Sequence, residues 1–249
     1  MTTNTLENRP ADDIHAIKKQ ARIAGLLYLL ASIPAPFGLI YVPNKLIVLN
    51  DATATANNIR ASESLLRLGI GCELLGSIMF IFVVLALYRL FKRVNETRAL
   101  AMMILILVSI PISLLSVVNE VLALVVVSSA NFLPVFNTGQ LDALAYIFMR
   151  SHGRTTLVAE IFWGLWLFPF GLLIIQSRFI PRILGYLLFI AALGYLASSL
   201  TFLLLPSYGP VVDRFASQLP LCELPIIFWL LIFGAKVQPT SPEPVSSAA

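Results

Sequence analysis

Long apolar runs, separated by short polar segments, dominate the chain. A membrane-crossing helix needs about 20 mostly apolar residues. Six stretches meet that length, at about 22–42, 67–91, 99–128, 155–176, 182–205 and 212–235. They predict an all-α polytopic membrane protein, with six transmembrane helices in one bundle over residues 22–236. Pro34 and Pro36 are expected to bend the far half of the first span, and Pro111 lies inside the third. A polar segment, 1–21, precedes the bundle, its first 12 residues reading as disordered, and the tail VQPTSPEPVSSAA, 237–249, also reads as disordered.

Two connecting segments carry patterns of their own. In NDATATANNIRASESLLR, 50–67, Asp51 is a plausible N-cap and the alanines favour helix. In NTGQLDALAYIFMRSHGR, 137–154, Leu141, Leu144, Ala145 and Phe148 fall on one helical face. That face predicts a helix lying in the membrane interface.

Composition agrees with lipid as the solvent. Of 249 residues, 58% are hydrophobic and 12% charged, with mean hydropathy +0.88. Soluble domains are roughly 45–50% apolar and about 25% charged. The pI near 9.2 does not indicate nucleic acid, because the basic residues flank apolar runs and form no stripe with interleaved aromatics. With the N-terminus inside, inner segments hold Arg9, Lys18, Lys19, Arg22, Arg89, Lys92, Arg93, Arg98, Arg178, Arg182 and Lys236. Outer segments hold Lys45, Arg60, Arg67, Arg150, Arg154 and Arg214. Eleven against six places both termini in the cytoplasm and the protein in the cytoplasmic (inner) membrane. The polar start does not resemble a cleaved signal, so the first span is expected to stay as an anchor.

Against this background the sequence TLVAEIFWGLWLFPFG, 156–171, stands out for Glu160. A carboxylate in such a run costs several kcal/mol unless paired, neutralised or wetted. Spans two, four and six run outside to inside, and Glu73, Glu160 and Glu223 follow Arg67, Arg154 and Arg214 by six, six and nine residues. At 1.5 Å per residue each lies roughly 9–14 Å past its arginine. Glu120 comes 22 residues after Arg98 on the oppositely directed third span, about 33 Å along, again near the outer side. Four carboxylates are thus expected at one depth.

Their neighbours suggest inward faces. Ser109, Ser113, Ser116 and Glu120 form one polar stripe. Gly69, Glu73, Gly76, Ser77 and Phe80 share a face, as do Glu160, Gly164, Leu167 and Gly171; small residues there favour close helix contact. Tyr28 with Ser32, and Tyr195 with Ser199, offer further hydroxyls one turn apart. These residues predict a carboxylate-lined cavity in the outer half of the membrane, binding or carrying a small ligand or ion, with a cation the best charge match. Proton coupling would follow from gathered carboxylates.

Two rival readings use the same residues. His152 with the glutamates would make a divalent metal site and an intramembrane metal-assisted enzyme; as a histidine near the end of span four, its blander role is a solvated loop side chain. Alternatively the glutamates are hydrogen-bonding glue between helices, with Arg67 and Arg154 as partners, in a protein that binds lipid or another protein. Cys72 and Cys222 make no disulfide framework and read as small membrane residues, bridged only if spans two and six touch. No nucleotide-binding, zinc-protease or serine-hydrolase motif occurs, and no cofactor is implied. Inverted repeats, frequent in carriers, are not evident.

Several segments together resemble a known family: RIAGLLYLLASI, ASESLLRLGIGCELLG, LALYRLFKRVN, EIFWGLWLFPFGLLIIQSRFIPRILGYLL and CELPIIFWLLIFG. They are similar to the prokaryotic membrane family catalogued as domain of unknown function 4386, over roughly residues 20–236. The block at 162–185 is the most specific. The resemblance implies a multi-helix integral membrane protein and no activity, cofactor or site residue.

Overall fold

The computed structural model describes residues 9–128 and 135–235, with side chains from His15 onward. Among these residues every regular element is helical. Helix α1 spans Arg9–Ser32, so residues 9–12, expected to be disordered, open a helix instead. Pro10 sits in its first turn, where a missing N–H costs nothing. The tail at 237–249 lies outside the described residues.

The first span does not stop at Ser32. It continues through Pro34–Pro36, a π-helical turn at Phe37–Tyr41, and an α-helical turn at Val42–Leu46. Pro34 and Pro36 cannot donate to the preceding turn, and the wider π turn absorbs the resulting mismatch. The prolines thus coincide with a departure from regular α-helix, and the helix ends four residues later than expected.

Helix α2, Ala52–Ala61, is capped as its sequence predicts: the Asp51 carboxylate accepts from the Ala54 N–H at 2.8 Å. Helix α3 spans Glu63–Phe91 and α4 Glu96–Ser128. Helix α5 is one element of 40 residues, Thr138–Ser177, opened by a capping box between Asn137 and Gln140. The segment expected to lie in the interface, 137–154, is thus the first part of the helix that forms span four. Its apolar face is real, but it is covered by protein: Leu141 and Ala145 are buried with Ala56 and Ile59 of α2 and Leu124 of α4.

Helix α6 spans Arg182–Leu204. The sixth span is broken where one continuous helix was expected. It comprises a 3-10 turn at Pro206–Tyr208, α7 at Gly209–Ala216, a second 3-10 turn at Leu219–Glu223, and α8 at Leu224–Ile232. Pro220 and Pro225 supply no N–H to the turns before them, and no α-helix passes through both without losing bonds.

Six helical stretches are long and apolar enough to cross a membrane. Their outward surface is one that water would not tolerate: Ile78, Leu115 and Leu193 are each more than half exposed. The interior is aromatic and close-packed. Trp166 stacks on Phe170 at 5.2 Å, and Phe91 meets Phe170 edge-on at 5.7 Å. Helices α5 and α6 touch through glycine: a Cβ on Gly171 would stand 2.8 Å from the Gly185 carbonyl oxygen. This is the small-residue contact expected of membrane helices, which associate by close packing.

Candidate metal centre

Glu73 projects from α3, Glu120 from α4 and His152 from α5. All three are buried, with exposures of 5%, 0% and 2%. The His152 Nε2 lies 3.1 and 3.2 Å from the two Glu73 carboxylate oxygens. It lies 3.8 Å from Glu120 Oε1. One ligand atom from each residue falls within 4.8 Å of the other two. Neither Glu120 oxygen receives a hydrogen bond among the described residues.

Local structure sets this geometry. Because α5 starts at Thr138, His152 is in mid-helix, in contrast to the solvated loop position expected for it. Its main-chain carbonyl accepts from Ser116 Oγ of α4 at 2.7 Å and from Thr156 Oγ1 at 3.0 Å. The two hydroxyls also meet each other at 2.8 Å. Ser116 thus ties α4 to α5 one turn from Glu120. On the other side, the π turn of span one lays Gly38 against Glu73, and Val42 fills the space beside Gly69.

The other sequence-derived candidates divide among different places. Glu223 lies on the second 3-10 turn of span six, where it accepts from the Tyr28 hydroxyl at 2.6 Å. Tyr195 presents a second hydroxyl to the same carboxylate and packs edge-on against Trp163. Glu160 accepts from Ser199 at 3.3 Å. Neither Glu160 nor Glu223 belongs to the Glu73, Glu120 and His152 group, so the four carboxylates do not meet at one point. Ser109 and Ser113 donate to main-chain carbonyls of their own helix, those of Ile106 and Ser109, as hydroxyls in helices commonly do. Ser32 likewise donates to the Tyr28 carbonyl.

The arginines expected to neutralise the glutamates do other work. Arg67 pairs with Glu63 one turn before it, and Arg154 lies over the Phe202 ring at 4.2 Å. Cys72 and Cys222 are both free thiols.

Three features were not found from sequence. Gly38 meets Glu73 across two helices, and Thr156 joins the Ser116 and His152 carbonyl contact between α4 and α5; neither role is marked by a local pattern. The Arg60–Asp142 ion pair fastens α2 to α5; both residues sit in polar segments where charge is ordinary. The one available signal for the cluster was helical periodicity carried back from span four into 137–154, which would have put His152 on a continuous helix.

The family described as "Domain of unknown function (DUF4386)" matches residues 23–234. The chain belongs to this family. Nothing matches it among curated proteins or among solved structures. In this DUF4386 protein the histidine-carboxylate cluster is therefore assessed on its own chemistry. One imidazole and two carboxylates form a mixed nitrogen and oxygen donor set, which suits divalent first-row ions. Two donors each about 2.1 Å from one ion stand roughly 3.0–3.5 Å apart, so the 3.1 Å separation already fits. The 3.8 Å separation needs only a small side-chain adjustment.

Proposed function

We propose that this DUF4386 protein binds a divalent transition-metal ion between α3, α4 and α5, through Glu73, Glu120 and His152. The observation that carries the reading is the placement of both Glu120 oxygens in a buried site with no donor, beside a second carboxylate and a histidine. Two buried carboxylates without a cation are costly in a low-dielectric interior. A divalent ion balances them, and neutral His152 adds a ligand without adding charge. Manganese(II), iron(II) and zinc(II) match the donor set best.

A broken helix supports carriage of the ion as the purpose of binding. The π turn of span one touches Glu73 through Gly38. Interrupted helices beside a binding site are a recurring device of carriers, because their freed carbonyls and helix ends can face the ion. The excess of basic residues on the segments assigned inside, eleven against six, supports cytoplasmic termini in the cytoplasmic membrane. Thiol labelling of cysteines introduced at Arg150 and Lys92 tests that orientation; external reactivity at Lys92 rather than Arg150 reverses it.

A second reading, metal-assisted catalysis, uses the same three residues. It is favoured by their number, since three protein ligands leave coordination positions for water or substrate. Both readings require the ion. Metal-stripped protein in detergent, reloaded with manganese, iron or zinc and measured by mass spectrometry, is expected to hold about one ion per chain. Wild-type protein that retains none would leave the glutamates as helix-bridging groups only.

A further inference from the structure

At the far end of α3 from Glu73, a surface cavity of about 350 Å³ opens among the start of α1, the end of α3 with its turn into α4, and the turn between α5 and α6. Arg89, Lys92 and Arg93 form its charged part, and Ile17, Leu90 and Phe179 belong to its apolar part. Arg89 is roughly 24 Å further along α3 than Glu73, at 1.5 Å per residue. The cavity and the metal centre are therefore distinct sites.

The three cations are gathered without counter-charge among the described residues. Among the described residues, none of them has a carboxylate within ion-pair distance or a side-chain hydrogen bond. Like charges collected around one cavity repel each other, and an anion held among them removes that repulsion. Their position narrows the choice of anion. Phe91 is the last residue of α3 and Arg182 the first of α6, so the cavity sits where apolar spans give way to polar turns, at headgroup depth.

We infer that this cavity binds the phosphate-bearing headgroup of an anionic phospholipid. Guanidinium groups match phosphate oxygens in a forked geometry, and the lysine adds a compact charge. Ile17, Leu90 and Phe179 give the glycerol and the upper acyl chain an apolar wall that a free phosphate ion would leave unused. Basic pockets between membrane helices hold anionic headgroups on the same physical grounds.

Native mass spectrometry of the delipidated full chain in detergent, with lipid added back, tests this. The wild type is expected to retain one phosphatidylglycerol per chain, at least ten-fold in preference to phosphatidylcholine. The triple variant Arg89→Gln, Lys92→Gln, Arg93→Gln should lose that preference while keeping its melting temperature and its metal content. Equal retention of the two lipids by the wild type overturns the inference, as does an undiminished preference in the variant. Displacement of the lipid by millimolar inorganic phosphate also overturns it, since the site would then take the free ion.

Discussion

Gly38 and Glu73 pack without room for a methyl group between them: a Cβ at position 38 would stand 2.5 Å from Glu73 Cγ and 2.7 Å from the Gly69 carbonyl oxygen. The contact joins the π turn of the first span to one corner of the Glu73, Glu120 and His152 cluster. Gly38→Ala must push α3 away from the π turn, because the Gly69 carbonyl is backbone, and must displace the Glu73 side chain as well. We expect a loss of about 1–3 kcal/mol in stability, as for other overpacked sites, and weaker metal retention. Thermal denaturation with and without added manganese separates the two effects. Unchanged affinity in Gly38→Ala would mean that Glu73 is positioned by α3 alone.

Glu120→Gln should act in opposite directions on the metal-free and metal-loaded protein. In the metal-free state it replaces a buried carboxyl group whose oxygens have no donor, and the melting temperature in chelator should be no lower than that of the wild type. Loaded with metal, the variant lacks a charged ligand and should lose the stabilisation that binding confers, about 2.7 kcal/mol at a hundred-fold excess over Kd. A drop in both conditions would assign Glu120 a structural role instead.

Metal binding should compete with protons. The ion and a proton require the same lone pair on His152 Nε2 and the same carboxylate oxygens, and ligands bind metal in their deprotonated forms. Affinity is expected to fall as pH is lowered. Calorimetric titrations in two buffers of different ionisation enthalpy should give different apparent heats, and identical heats would exclude proton release.

Tyr28 and Glu223 lie outside the Glu73, Glu120 and His152 cluster, which makes Tyr28→Phe a useful control. The variant loses the 2.6 Å hydrogen bond to Glu223 and leaves the Tyr195 hydroxyl alone beside a carboxylate whose Oε1 already lacks a donor. We expect a destabilisation of about 1–3 kcal/mol by thermal melting in detergent. Metal stoichiometry should stay at the wild-type value, and a fall would show that the two groups are coupled through the bundle.

Much of the architecture was legible in the sequence because lipid imposes a simple rule. Backbone polar groups must be satisfied within each span, so length and hydropathy alone locate the helices. The six stretches, the interruption of the first helix at Pro34 and Pro36, and the cap at Asp51 all rest on local patterns of that kind. Helix ends were less legible. Polar residues from Thr138 to Arg154 interrupt the apolar run without interrupting the helix, because the capping box at Asn137 and burial against α2 and α4 carry the helical backbone through them. In the sixth span, hydropathy was blind to the missing N–H groups of Pro220 and Pro225.

The sequence by itself determined that four carboxylates lie in apolar spans, since their spacing from flanking arginines is a matter of rise per residue. Which of them meet was decided only by the tertiary structure. Depth along a helix follows from counting, but direction around the bundle depends on how each helix is rotated and which neighbour it packs against. Those are set by contacts such as Gly38 on Glu73, Ser116 on the His152 carbonyl and Gly171 on Gly185. Packing brought Glu73 and Glu120 to His152 and sent Glu160 to Ser199 and Glu223 to Tyr28. The carboxylate that first drew notice, Glu160, is outside the cluster, and the histidine that resembled a loop residue stands between two glutamates.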